Sequence, residues 1–412
     1  MKITMKKVLA LLLTASMLAS FTACGQQTVQ NESSDQTSSE ASSEASTEIS
    51  TETAAPTETS AEAEEDVDGE LILDYEEELQ YANRFTMTRY KGGYTMFATP
   101  EIIEGVQYLL VPEGKSVPAD LPEGTVVLQM PLTNFRFSSS SMVSLVDAIG
   151  GLDYISSVST DIDGWYLDNV IAKMNAGDIK YSGKYSEPDY EMIVADGVQV
   201  NIDTTMLTYK PEVMEKYDEL EIPYVVEASS REEHPLGRVE WVKLWGTMMG
   251  LEEEAYAYFD EQVANFEAIT ALDKLDKTVV SFTANKDNLN VHYDNSYYGS
   301  TTLFAGCDYL LLDTDPEDTT SYAKMGVEEF YELAKDADYL FSLSYATLFT
   351  MQDLIDYNAI FEDFKAVQDG NVYVFKASFV QSAADVVTAI SEIRAVLEDP
   401  TIEETTTLYK LK

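Results

Sequence analysis

Residues 236–272 read LGRVEWVKLWGTMMGLEEEAYAYFDEQVANFEAITAL, and their periodicity decides the fold. Pro235 stands where it can open a helix, and Leu236, Val239, Leu244, Trp245 and Met248 supply apolar residues up to Gly250. Beyond Gly250, Tyr256, Phe259, Val263, Phe266 and Ile269 step by three and four among Glu, Asp and Gln. That pattern predicts a continuous helix of about 20 residues, on the order of 30 Å long. Short strand-like runs alternating with helices lie on both sides of it. On the N-terminal side FTMTRY (85–90), YTMFAT (94–99), VQYLLV (106–111) and TVVLQM (125–130) read as strands separated by Gly and Pro. A helix fits 141–149, and strands at 154–158, 198–203 and 223–227 alternate with helices near 165–175, 190–195 and 211–220. On the C-terminal side a strand at 278–284 precedes helices near 297–305 and 327–334 and a strand at 338–343. A strand at 371–375 and a helix over 382–397 follow. Strands alternating with helices predict two α/β lobes on a helical spine.

Composition narrows the function. The chain has 412 residues, 45% of them hydrophobic, enough to bury one large or two ordinary domains. Lys and Arg number 26 against 73 Asp and Glu, a formal net charge of -47. That balance argues against a nucleic-acid partner, because counterion release needs cations along phosphates. It argues equally against a polybasic membrane patch. Two Cys and two His are too few for an ordinary all-protein structural zinc site, and disulfides cannot be what holds the fold together.

The first segment is an address. Lys2, Lys6 and Lys7 precede an apolar run from Val8 to about Ala19, too short to span roughly 30 Å of hydrocarbon, so residues 1–23 read as a signal peptide. The run ends in Phe21-Thr22-Ala23-Cys24-Gly25, which resembles a bacterial lipobox with Phe at the usual Leu position. The resemblance implies that Cys24 is lipidated and becomes the mature N-terminus; the alternative is ordinary secretion with Cys24 lost. From Gly25 to Glu65 there are ten acidic residues, no Lys or Arg and hardly a large apolar residue. Residues 24–66 are therefore expected to be a disordered acidic tether behind the lipidated cysteine. The remainder still carries 63 acidic against 23 basic residues, a solvated surface favouring solubility.

With two α/β lobes and a lipobox, the chain resembles the solute-binding lipoproteins of ABC importers, more specifically the iron-siderophore, haem and cobalamin class. Five segments run in that family's order: IKYSGKYSEPDYEMIVA (179–195) followed by VQVNIDT (198–204), EHPLGRVEWVKLWGTMMGL (233–251), SYYGSTTLFAGCDYLL (296–311), MGVEEFYELAKDADYLF (325–341) and FKAVQDGNVYVF (364–375). The strand at 198–204 departs from the family's PDLVI pattern, and the N-terminal strands carry extra length around Pro112 to Gly124. The resemblance implies an α/β fold of two Rossmann-like lobes joined by a single long helix, with a ligand cleft between the lobes. On this reading residues 67–235 form the N-terminal lobe, 236–272 the spine and 273–412 the C-terminal lobe. It implies no enzyme and no resident cofactor. The bound ligand would be a metal chelate of the iron(III)-siderophore type, or haem or cobalamin in the same role. The partners would be an ABC permease, its ATPase through that permease, and the membrane through the N-terminal lipid. The chain would act as an extracytoplasmic monomer held at the cell membrane of a bacterium.

No nucleophile elbow, P-loop, G-x-G-x-x-G or H-E-x-x-H occurs. A surface hydrolase would need a catalytic pair converging in one cleft; with 73 carboxylates, a pair at glycosidase spacing carries no signal. An adhesion or structural lipoprotein would bury no ligand. His234 and His292 lie 58 residues apart on different predicted lobes, where one orients the loop before the spine and the other lies near a cleft loop. As metal ligands they would be one per lobe, and no direct metal site is expected. Cys307 reads as a small buried hydrophobe.

Tyrosine is abundant, with 26 residues, many at predicted strand ends or loops. In open α/β sheets ligands sit beyond the carboxyl ends of strands, and Tyr and Trp offer a planar ligand both apolar area and a hydrogen-bonding group. Trp165, Tyr166 and Tyr298, with Tyr94 and Tyr185, are candidate ligand contacts; the alternative is packing within or between the lobes. Arg231 follows a predicted strand end and could face an anionic group, whereas Arg238 is expected to pair within the spine. Glu191 and Glu329 each open a predicted helix, one per lobe, where the helix dipole favours a carboxylate. In the family the matching residues pair with permease arginines, with Glu328 competing for the second role.

Overall fold

The structure is a computed structural model that describes residues 70–100, 102–312 and 320–412. The signal sequence, Cys24 and the acidic tether lie outside the described residues. The chain enters through a five-stranded sheet of its own: β1 (Leu73–Glu76), β2 (Thr86–Tyr90), β3 (Thr95–Ala98), β4 (Gln107–Val111) and β5 (Thr125–Gln129), in spatial order β1-β2-β3-β4-β5. The four strand runs read at the N-terminus are all present here. They do not join the α/β sheet that follows.

That sheet is built from β6 (Phe135–Phe137), α1 (Ser140–Ala148), β7 (Ile155–Val158), α2 (Asp168–Ala176) and β8 (Lys180–Tyr181). A hairpin of β9 (Gly183–Lys184) and β10 (Glu187–Pro188) follows, then α3 (Tyr190–Ala195), β11 (Val200–Thr204), α4 (Pro211–Glu219) and β12 (Tyr224–Glu227). Strands run in the order β12-β11-β6-β7-β8, all parallel. Two helices come next, α5 (Pro235–Met249) and α6 (Glu252–Thr270). His234 caps α5 by accepting the Leu236 amide at 3.1 Å on Nδ1, and Pro235 fills the first turn where no N–H is needed.

Gly250 ends α5 with φ of 71°, a conformation that costs glycine little, and α6 then folds back along α5. The return is close: a Cβ on Gly246 would lie 2.4 Å from that of Ala255. Hence the 236–272 segment is a tight helical pair, and the lobes are joined by the single 19-residue helix α6. Its Phe259 meets Tyr81 edge-on, while its Phe266 meets Phe304 at 4.9 Å between ring centroids and its Tyr258 hydroxyl donates to Ala384 O at 3.1 Å.

The C-terminal lobe contains β13 (Thr278–Ala284), β14 (Leu289–His292), α7 (Tyr297–Leu303), β15 (Asp308–Tyr309), β16 (Tyr322–Met325), α8 (Val327–Ala334) and β17 (Tyr339–Ser342). It ends with α9 (Met351–Tyr357), α10 (Lys365–Gln368), β18 (Val372–Phe375), α11 (Ala377–Val380), α12 (Val386–Glu398) and β19 (Leu408–Lys410). The sheet runs β16-β14-β13-β17-β18-β19, with β13, β17 and β18 parallel and β15 paired on β13. One continuous apolar core spans Phe135, Phe137 and Leu145 of the first lobe, Trp241, Trp245 and Phe259 of the paired helices, and Phe282, Phe341 and Phe375 of the second.

Inward-turned carboxylates fasten the connecting segments. The amides of Gln80, Tyr81 and Ala82 donate to the fully buried Glu240 at 2.9, 2.8 and 2.8 Å, and Lys243 Nζ adds a fourth contact at 2.8 Å. Glu232 takes the Asn83 and Arg84 amides at 3.0 and 3.1 Å and the Trp241 indole at 3.0 Å, although burial pushes its carboxyl up. Together these anchor the chain between β1 and β2 onto α5. Glu392 does the same for the C-terminal tail, accepting from the Thr406 and Thr407 amides at 2.9 and 2.8 Å.

Candidate functional site

Segments that follow the carboxyl ends of parallel strands in the two lobes meet. After β7, the loop carrying Gly164 and Tyr166 reaches residues beyond the ends of β17 and β18. The Gln381 amide nitrogen donates to Gly164 O at 2.7 Å, and the Tyr166 amide donates to Gln381 Oε1 at 2.8 Å. The Tyr166 ring meets that of Tyr345 edge-on at 6.3 Å. Ser144 of α1 accepts the Ala384 amide at 3.2 Å, and Ser300 of α7 donates to Glu233 O at 3.5 Å. The lobes therefore close on one another along a line of aromatic and hydroxyl groups, in the crevice where open α/β sheets hold ligands.

Tyr166 and Tyr298 are the two sequence-selected aromatics that the fold brings to this line. Tyr166 is exposed; Tyr298 stands in the first turn of α7 and lies 5.4 Å from His292 and 6.2 Å from Phe375, centroid to centroid. Burial pushes the hydroxyls of Tyr297 and Tyr298 up, and Arg238 pulls both back down. Arg231 follows β12, exposed, with its carbonyl taking the Arg84 Nε at 3.2 Å. Tyr185 sits half-buried in the turn between β9 and β10. Trp165 is buried with its indole on Thr160 O at 2.9 Å, holding the loop that presents Tyr166. Tyr94 is buried in the entry sheet among Met96, Leu109 and Val111, its hydroxyl on Ser116 O at 2.8 Å. Both of these rings are spent on packing, so they are set aside as direct contacts.

Sequence reasoning missed three members of the line. Tyr345 and Gln381 follow β17 and β18, so the strand-end rule that selected Tyr166 reaches them too. Arg238 was expected to pair within the spine. It instead donates from Nη2 to Ser141 Oγ at 2.9 Å and lies over the Tyr297 ring, 4.4 Å from its centroid. Glu191 and Glu329 stand exposed in the first turns of α3 and α8, one on each lobe, as does Glu328. Beneath the first lobe's share of the cleft, Arg136 is fully buried. It donates to Ser182 Oγ, Ser138 Oγ and Gly183 O at 2.9, 2.8 and 3.0 Å, facing Asp203 at 3.6 Å. It thus joins the start of the 138–141 loop to the hairpin that leads to Glu191.

His292 lies at the same line, 7% exposed, with Nε2 3.0 Å from Thr283 Oγ1 and no hydrogen-bond partner for Nδ1. Among the described residues no group of three His, Cys, Asp or Glu is placed to hold a metal ion. Burial lowers His292 from 6.5 to about 4, so the folded protein keeps it neutral. Below the unfolded value the unfolded chain takes up a proton that the native one refuses. Stability is therefore expected to fall as pH drops from about 6.5 to 4, by on the order of 3 kcal/mol from this residue. Denaturation across that window should show His292→Gln losing less stability than the parent. Parallel curves for the two proteins would contradict the assignment.

Two surface crevices lie elsewhere, of about 470 Å³ between Asp147, Asn169, Lys173 and Asp178, and about 350 Å³ between Tyr75, Arg89, Glu252 and Tyr256. Among the described residues no helix is long and apolar enough to cross a membrane.

No family model matches the chain. It is 29% identical over 319 residues to an uncharacterized lipoprotein of Methanocaldococcus jannaschii, covering 73% of each chain. Among solved structures it is similar to the periplasmic haem-binding protein HutB of Vibrio cholerae, with a TM-score of 0.54, 13% identity and 65% and 99% of the two chains covered. A periplasmic haem-binding protein of Pseudomonas aeruginosa aligns with a TM-score of 0.53 and 16% identity over 68% of this chain and 98% of its own. An ABC-transporter substrate-binding protein of Listeria monocytogenes aligns with a TM-score of 0.51 and 14% identity over 65% and 100%. The fold is that of the two-lobed substrate-binding proteins. These neighbours are binding proteins, and about a third of this chain lies outside the match.

Proposed function

We propose that the protein is the extracytoplasmic substrate-binding subunit of an ABC importer, lipid-anchored through Cys24, and that it captures an iron(III)-siderophore-type chelate between its lobes. The observation that carries this reading is the line of Tyr166, Tyr298, Tyr345 and Arg238 where strand ends of the two lobes meet. Aromatic rings with hydroxyl tips and one cation suit a large, planar or chelated ligand with oxygen acceptors. Haem fits the same role, and two of the structural neighbours described above are haem-binding proteins. Glu191 and Glu329 would then meet permease arginines as charge-assisted pairs, seating the cleft over the pore.

Ligand binding to the native state raises the melting temperature by linkage; at 100-fold the dissociation constant the gain is about 2.7 kcal/mol. A ferric siderophore or haemin is expected to shift the melting curve upward by several degrees and to quench Trp fluorescence. A shift by a sugar or a free metal ion, with none from ferric siderophores, haemin or corrinoids, would overturn the assignment.

A further inference from the structure

Among the described residues β1 pairs with β2 on one side only, so it forms an edge of the entry sheet, and all four of its residues are exposed. Ile72, just before it, and Leu73 and Tyr75 within it are 47%, 54% and 52% exposed, an apolar row along the open edge. Carboxylates surround that row. Residues 62–78 include ten Asp and Glu and no Lys or Arg, and Glu252, Glu253 and Glu254 stand in the first turn of α6. Charge alone on an edge strand guards it against pairing, but a guarded edge does not also display large apolar side chains.

A crevice beside the edge can select one side chain. The register against β2 shifts between Leu73 and Tyr75 and sets Tyr75 opposite Arg89. Both line the crevice of about 350 Å³, together with Glu252, Glu253 and Tyr256. Arg89 is spent on its neighbours. It reaches Glu77 at 3.3 Å, Glu252 at 2.6 Å and the hydroxyl oxygens of Thr95, Thr247 and Tyr256 at 3.0, 3.1 and 3.2 Å. Each N–H of the guanidinium thus has a partner. Glu253 is exposed and has no ion pair among the described residues. Two tyrosine rings and an open carboxylate suit an ammonium or guanidinium and the aliphatic stem that carries it.

We infer that β1 is a strand-addition site for an extended basic segment of another protein. The segment's backbone pairs along the open edge, while one lysine or arginine side chain enters the crevice between Tyr75, Tyr256 and Glu253. In strand addition the main chain supplies affinity and side-chain pockets supply selection. Charge decides against two other occupants. A second copy would lay carboxylates directly opposite carboxylates, and an anionic lipid surface would repel the same row. None of these residues belongs to the line between the lobes, so the site stands whatever the cleft binds.

The test titrates the full-length protein at about 0.15 M salt with blocked peptides. These are KVKTKVK, its charge-reversed form EVETEVE, and KPKPKPK, which keeps the positive charges but cannot lie as a strand. KVKTKVK is expected to bind and to slow amide exchange over β1, with the two controls binding at least tenfold more weakly. Tyr75→Ala and Glu253→Lys should each weaken KVKTKVK about three- to tenfold. Both variants should melt like the parent, since both side chains are exposed. Equal binding of KVKTKVK and either control, or titrations unmoved by both substitutions, would reduce the site to diffuse attraction and overturn the inference. Failure of all three peptides to bind overturns it as well. So does a peptide-free parent that is dimeric and becomes monomeric on Tyr75→Ala, which gives the edge to a second copy.

Discussion

Glu240→Ala is expected to lose about 3–5 kcal/mol of folding stability, the range seen when one member of a buried charge pair is removed. Three successive amides, Gln80 to Ala82, and the Lys243 ammonium all end on this carboxylate. Alanine leaves the amides without acceptors and the ammonium, 5% exposed, without its counter-ion. Partial relief comes from the rings of Tyr256 and Phe259, which lie 5.2 and 4.4 Å from Lys243 Nζ. Glu240→Gln keeps one acceptor oxygen and should fall between the two. Urea unfolding monitored by Trp fluorescence measures the loss, and Glu191→Ala, on an exposed first turn, serves as the control near zero. A loss below about 1 kcal/mol for Glu240→Ala would mean that residues 80–82 are held by their apolar contacts and by the neighbouring Glu232 anchor instead.

Removing Glu191 and Glu329 together is expected to reduce uptake by at least about tenfold, while ligand affinity and melting temperature stay unchanged. Each carboxylate is exposed and has no ion pair among the described residues, so neither contributes to the folded state through a partner of its own there. A hydrogen-bonded charge pair contributes roughly 1.5–3 kcal/mol to a complex, enough for tenfold per contact. Long-range steering by the protein's negative surface would persist in the variants, so the loss should lie in seating rather than encounter. Transport and ligand titration must be made on the same proteins. Weakened ligand binding would move these residues into the cleft, and normal uptake by the double variant would remove their docking role. The same assay with Glu328→Ala decides which of the adjacent glutamates on α8 acts.

Local signals in the sequence were sufficient where an element makes its own case. The helices at 190–195 and 327–334 and the strand at 278–284 stand at the expected limits, because Asp189, Gly326 and the apolar periods mark them locally. The strand Phe135–Phe137 left no such mark, although it is the centre of the first lobe's sheet. It is three residues long with an arginine in the middle, and the groups that satisfy Arg136 come from as far as Tyr217, 81 positions away. Sheet membership was equally hidden. The four N-terminal strands were legible as strands, but whether they extend the lobe or close on themselves depends on pairings that short runs do not specify. Of the candidate site, Tyr166 and Tyr298 could be chosen because strand ends are where α/β ligands sit. Arg238 could not, since its surroundings are assembled by two lobes from α1, α5 and α7.

If the protein serves an importer as proposed, the core shared by both lobes also bears on traffic at the permease. In an importer served by a subunit whose halves swing together, the empty and loaded forms differ in outline, and the channel can refuse the empty one. Here Trp241, Phe259, Phe282 and Phe375 belong to a single packed interior, which resists such a swing. An unloaded copy would present nearly the same outline, with Glu191 and Glu329 at nearly the same separation, and so would compete for the same seat. Uptake would then depend on the ratio of loaded to empty copies rather than on the number of copies. A tether that crowds many of them around one channel would favour scavenging only while ligand keeps most of them filled.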